Sequence, residues 1–180
     1  MTAPEEQQQP HVGDSSDSGL LQEEIKRRAH SRMIVDVEEE TVKVVIFRSS
    51  EQHYAFYGRI IREILPPLEI SWVPGLPEFL PGLINIRGDI ESTVDIHSFL
   101  GDGNHDRSRC MIALAVTDRF RSGILIDEIE DVTDIPADSI QPPLATLNSV
   151  ARELVCGEFD YHGVMVSLLD IELLADKITL

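Results

Sequence analysis

Residues 79–101 read FLPGLINIRGDIESTVDIHSFLG, and the order of residue types in this stretch decides the fold. Apolar Leu83, Ile84 and Ile86 lead into Arg87-Gly88, and a second apolar-polar run follows from Ile90 to Ile96. Two short strands around Gly88 satisfy that pattern. About half of the apolar side chains must face a core, because strand side chains alternate faces. After Asp95 the sequence HSFL predicts a short helix ending at Gly101, with Asp95 capping its start and His97 exposed.

Working outward, the prediction is strand after strand. Upstream, TVKVVIF is rich in β-branched residues, and HYAFY alternates with Tyr54 and Phe56 on one face, which reads as a hairpin. Residues 66–82 carry Pro66, Pro67, Pro74, Pro77 and Pro81, so they form an ordered loop or short edge segments rather than a long element. GDGNHDRS reads as an exposed loop. Downstream, RCMIALAVT is apolar on both faces: Cys110, Ile112, Leu114 and Val116 share one, Met111, Ala113 and Ala115 the other. That marks a central strand. GILIDEI is its antiparallel return, IPADSIQPPL crosses irregularly, and ELVCGEF and VMVSLL flank a turn at DYHG. IELLADKI closes the chain as a helix, with Asp170 as N-cap and Ile171, Leu174, Ala175 and Ile178 as its packing stripe. Many short strands with regular turns and small helices predict a mostly-β barrel or sandwich.

The whole chain has 180 residues, with 15 Lys and Arg against 32 Asp and Glu, a formal net charge of −17. That balance excludes phosphate-based nucleic-acid binding and docking on anionic lipid. No apolar run is long enough to span a membrane and none resembles a secretory signal, which predicts a cytoplasmic protein. Residues 1–40 form an acidic leader, expected to be largely disordered, with a candidate helix at 20–33 on Leu21, Ile25, Ala29 and Met33. Residues 41–180 form the domain.

Chemistry is hard to place on this sequence. There is no nucleophile elbow and no phosphate-cradling glycine loop. Cys110 and Cys156 lie in apolar runs and are expected to be buried, inert thiols in a reducing compartment. Six histidines are scattered, and Asp95-x-His97 offers two ligands, which do not make a zinc site. The acidic run Asp127, Glu128, Glu130, Asp131, Asp134 and Asp138 lacks calcium-loop spacing and reads as a solvated strand edge. These readings predict no catalytic, cofactor or metal site. Glu63 in RIIREIL and Arg87 in LINIRGD are charges set in apolar runs, so each is expected to pair with the other. Such a pair either braces two strands or fixes a docking surface.

These segments resemble the CheW-like adaptor family. In FLPGLINIRGDIESTVDIHSFLG, Gly82, Asn85, Arg87, Gly88, Asp95 and Gly101 fall where that family has them. YAFYGRIIREIL resembles its hairpin strand ending in Glu63, GILIDEIEDVTDIPADSIQPPL its Ile-Pro and Pro-Pro run, and FDYHGVMVSLLDIELLA its last hairpin and helix. The resemblance covers about residues 41–178. It implies two small five-stranded SH3-like β-barrels packed side by side, with short helices and a C-terminal helix. It also implies a non-catalytic adaptor, without cofactor, that couples chemoreceptors to a CheA-type histidine kinase at membrane-associated arrays. The implied partners are the kinase regulatory domain and the cytoplasmic tip of a methyl-accepting chemoreceptor. The implied protein-binding groove is Ile61, Glu63, Gly82, Leu83, Arg87 and Gly88, with Glu63 and Arg87 as a salt bridge. Glu91, Ser92 and Thr93 stand where the family has an apolar-Pro-apolar stretch. That departure and the long acidic leader leave room for a kinase regulator in another pathway, such as surface motility or development, that binds no receptor. A ligand-binding barrel is a separate and less favoured alternative, since it needs convergent polar groups in a pocket and only Glu63 and Arg87 offer them.

Overall fold

The computed structural model describes residues 40–101, 105–143 and 149–178. The leader and its candidate helix at 20–33 lie outside the described residues. The described residues open with an antiparallel hairpin, β1 (Thr41–Ser49) and β2 (Gln52–Tyr57). A 3-10 turn, Gly58–Ile60, leads into β3 (Ile61–Leu65). After the proline-rich segment come β4 (Gly82–Ile86), β5 (Asp89–Asp95) and helix α1 (His97–Leu100). β6 (Met111–Val116), β7 (Arg121–Ile126) and β8 (Glu128–Pro136) follow. Helix α2 (Ser149–Arg152), β9 (Val155–Tyr161), β10 (Val164–Leu169) and helix α3 (Ile171–Ile178) complete the chain.

The strands form two five-stranded sheets, ordered β8-β1-β2-β10-β9 and β3-β6-β7-β5-β4. Each is mixed, with a single parallel pairing: β2 with β10 in one and β5 with β7 in the other. Both close by the same device. The chain leaving edge strand β3 returns as a bridge from Ser71 to Leu83 on β4, the opposite edge. The chain leaving edge strand β8 returns as a bridge from Gln141 to Glu158 on β9. Closing an edge in this way removes an unpaired row of backbone groups. The proline-rich segment is thus the seam of the second sheet, which explains why it is ordered without being a regular element.

Alternation along the strands sorts the apolar residues into three cores. Val44, Ile46, Ala55, Phe159, Val166 and Leu168 fill the first sheet. Ile84, Ile86, Cys110, Ile112, Leu114 and Leu125 fill the second. The opposite faces meet in a shared core, where Phe47, Tyr54 and Phe56 pack with Ala113, Ala115, Ile124 and Ile126. The two-faced reading of the 110–116 run holds: its one face packs inside the second sheet and its other face packs between the sheets. Helix α3 seals the shared core with Ile171, Leu174 and Ala175, and Asp170 Oδ1 accepts the Glu172 N–H at 2.8 Å.

Three sequence expectations need correction. Cys156 is exposed, because it points outward from β9 while Val155 points in. His97 is fully buried, because the chain after β5 turns inward between two carboxylates. The loop around residues 105–109 is not uniformly exposed: His105 and Arg107 are half-buried against Asp95.

Candidate partner-binding surface

The β4–β5 hairpin turns on Arg87 and Gly88, both with positive φ (56° and 103°). A two-residue turn of that hand matches the twist of the flanking strands. Asn85 supports it, its Oδ1 accepting the Gly88 N–H at 2.7 Å. Gly82 starts the hairpin with φ 154°, and a Cβ there would lie 2.2 Å from the Ser71 carbonyl oxygen. Only glycine lets the seam strand approach this closely. Gly82, Ile84 and Ile86 face inward, leaving Leu83 and Asn85 outward.

Arg87 and Glu63 do pair. Nη1 of Arg87 donates to Glu63 Oε2 at 3.3 Å, and Nη2 donates to Oε1. The pair joins the β4–β5 turn to β3, across the seam where the sheet closes. Arg87 is 78% exposed and Glu63 25%, so the pair lies at the surface rather than embedded in apolar contacts. On the same hairpin Leu83 is half-buried and Ile90 exposed, and on the seam Trp72, next to the Ser71 bridge to Leu83, is exposed. Ile61 packs partly against the shared core. The six residues implied by resemblance therefore fall into three kinds: Leu83 and Arg87 reach solvent, Gly82 and Gly88 set backbone geometry, and Ile61 and Glu63 support from β3.

The polar run on β5 is turned inward. Glu91 is buried and accepts from Arg121 Nε at 2.6 Å. Ser92 and Ser122 hydroxyls lie 2.9 Å apart, and Thr93 Oγ1 donates to the Gly82 carbonyl at 2.8 Å. β7 thus carries the polar partners of Glu91 and Ser92, β4 that of Thr93, and these side chains are braces within the sheet.

A second cluster lies where β5 ends. Asp95 and His97 are fully buried. His97 Nδ1 donates to Asp95 Oδ1 at 3.0 Å, and Nε2 donates to Asp127 Oδ1 at 3.0 Å. Arg107 Nε donates to Asp95 Oδ2 at 2.6 Å. The His105 ring stacks on His97 with centroids 3.6 Å apart. Burial opposes charge on Asp95, but bonds from His97 and Arg107 outweigh it and hold its pKa below the usual carboxylate value. Burial likewise opposes charge on His97, but Asp95 and Asp127 together raise its pKa. Burial and the neighbouring His97 charge lower the pKa of His105. Burial and the carboxylates of Asp127, Asp95 and Asp106 push the Cys110 thiol up to about 12. Sequence reasoning found Asp95 and His97 but not their partners. Asp127 is 30 residues from His97, and no local pattern announces that contact.

Over residues 43–179 the chain matches the CheW-like domain, and it belongs to that family. The family is one of non-catalytic scaffolding proteins of chemotaxis. The fold is similar to the crystal structure of scaffolding protein TtCheW from Thermoanaerobacter tengcongensis, with TM-score 0.66 and 25% identity over 73% of this chain and 90% of that one. Probable chemotaxis protein CheW of Rhizobium etli is 26% identical over 133 residues, covering 73% of this chain and 86% of that protein. Chemotaxis protein CheW of Klebsiella aerogenes is 28% identical over 130 residues, 71% of this chain and 78% of that protein. Among the described residues no helix is long and apolar enough to cross a membrane.

Proposed function

We propose that this chain is an adaptor coupling chemoreceptors to a CheA-type histidine kinase, working in the cytoplasm at membrane-associated receptor arrays. The observation that carries the reading is the family match across residues 43–179, which spans both sheets. The proposed contact surface is the β4–β5 hairpin with adjoining β3, formed by Ile61, Glu63, Gly82, Leu83, Arg87 and Gly88. Leu83 and Arg87 are the groups a partner reaches, and Glu63 holds Arg87 in place. The inward turn of Glu91 and Thr93 supports this reading over an altered partner set, since the polar residues are occupied within the sheet.

Titration calorimetry of the chain against the regulatory domain of a CheA-type kinase from the same organism tests the proposal. Micromolar binding, about −8 kcal/mol, is expected, together with binding of the receptor's helical-hairpin tip. Kinase binding without receptor binding would favour a kinase regulator outside chemotaxis. Binding to neither partner would overturn both readings.

A further inference from the structure

We propose that His97, His105, Cys110 and Asp127 are the ligands of a zinc-class divalent metal ion, with Asp95 orienting His97 from behind. The fold assembles these groups from four places: the start of α1, the loop after it, the residue before β6, and the corner between β7 and β8. The ligand atoms of His97, His105 and Cys110 all lie within 4.8 Å of one another. Asp127 Oδ1 lies beside two of them, 3.0 Å from His97 Nε2 and 3.9 Å from Cys110 Sγ.

Those spacings can be compared with what a tetrahedral ion needs. With metal–nitrogen and metal–oxygen bonds near 2.0–2.1 Å and metal–sulfur near 2.3 Å, neighbouring N and O ligands stand about 3.3 Å apart and S and O about 3.6 Å. Shifts of about 0.3 Å bring both observed pairs to those values. One nitrogen-rich, sulfur-containing donor set of this kind suits zinc or cobalt rather than calcium or magnesium.

Two further observations point to a ligand. Both ring nitrogens of His105 are shielded from solvent, yet neither makes a hydrogen bond. Nε2 of His105 approaches Asp95 Oδ1 at 3.1 Å without the alignment of one. A shielded imidazole whose ring nitrogens make no hydrogen bond is a metal ligand in waiting. Asp95 bonded to Nδ1 of His97 is the carboxylate–histidine arrangement that orients ligating imidazoles. The charges also balance. Replacing the His97 Nε2 proton and the Cys110 Sγ proton by one dication leaves the net charge of the cluster unchanged. A cavity of about 280 Å³ lined by Glu78, Ser98, Gly101, His105 and Arg107 offers the path of entry. Because Asp127 Oδ2 also accepts the Ser50 N–H at 2.8 Å, the ion would pin the β1–β2 turn to the β7–β8 corner.

Cobalt(II) titration of the reduced, metal-depleted full chain tests this. Expected are a thiolate-to-cobalt charge-transfer band and intense tetrahedral bands, saturating at one equivalent and displaced by zinc. Cys110→Ser removes the charge-transfer band, and His105→Ala weakens binding roughly tenfold or more, with the circular dichroism of both variants unchanged. Should Cys110→Ser fail to fold, His105→Ala still decides, since it removes no hydrogen bond. A spectrum without charge transfer, or one that survives both substitutions, overturns the proposal and assigns cobalt to surface carboxylates or to Cys156.

Discussion

Arg87 meets Glu63 at the surface, 78% exposed at the tip of its hairpin. Its pairing with Glu63 follows from two charges in apolar runs, but its exposure does not, because a hairpin turn lifts a side chain out of the strands that flank it. The energetic expectation changes accordingly. A buried pair broken on one side costs several kcal/mol, whereas an exposed pair contributes about 0–1 kcal/mol. Arg87→Glu should therefore lower the unfolding free energy measured in urea by no more than about 1 kcal/mol, while weakening kinase-domain binding in calorimetry. A large stability loss would mean that the pair is a brace. The swapped variant, Glu63→Arg with Arg87→Glu, should regain the small stability term without regaining partner binding. The two glycines nearby separate space from conformation. Gly82→Ala drives a Cβ into the Ser71 carbonyl and should cost clearly more than Gly88→Ala. At Gly88 nothing lies within 4 Å and only the positive φ is strained, about 1–2 kcal/mol. Equal losses in thermal denaturation would contradict that ranking. The buried position of His97 had no local signal: a histidine two residues past a strand's aspartate looks the same whether it faces solvent or two carboxylates.

At the scale of elements, periodicity was a good guide wherever both faces of a strand had a definite environment. The 110–116 run was legible because each of its faces enters a different core. Helix α3 was legible because its cap and its stripe are adjacent in sequence. Asp170→Ala should cost about 1 kcal/mol, read as a lowered thermal midpoint, and Asp170→Asn should restore most of it. Strand β8 was legible only as an acidic edge. Its charges are partnered across β1, with Lys43 bonded to Asp134 at 3.0 Å and Arg48 to Glu128 at 2.8 Å, and sequence separation hides such pairs. The partners of the polar run on β5 were hidden in the same way. Glu91 meets Arg121 and Ser92 meets Ser122 on β7, each 30 residues away, while Thr93 bonds the Gly82 carbonyl on β4.

For the molecule as a whole, the mostly-β class was within reach of the sequence pattern and the strand count came only through the family resemblance, while the exchange of strands between sheets was out of reach. Nothing local in β1 and β2 says that they join β9 and β10 rather than the strands that follow them directly. What holds the sheets together is the shared core, where Phe47 stacks on Phe56 with ring centroids 4.7 Å apart. Phe47→Ala should cost about 3–5 kcal/mol. Because both sheets line that core, denaturation followed by far- and near-ultraviolet circular dichroism should remain a single transition. Two separated transitions would show that the sheets unfold independently.

The exchange of strands also bears on how the protein is made. The second sheet is built entirely from residues 61–126, whereas the first needs strands from both ends, up to Leu169. On the ribosome, β3–β7 can close while the last third of the chain is still being translated. β1 and β2 emerge first and must wait longest, with Val44, Ile46 and Phe47 lacking their final cover. Exposed apolar strands of that kind are what chaperones bind and what aggregates when they are absent. Slowing translation of the C-terminal third should lengthen that wait and raise the insoluble fraction.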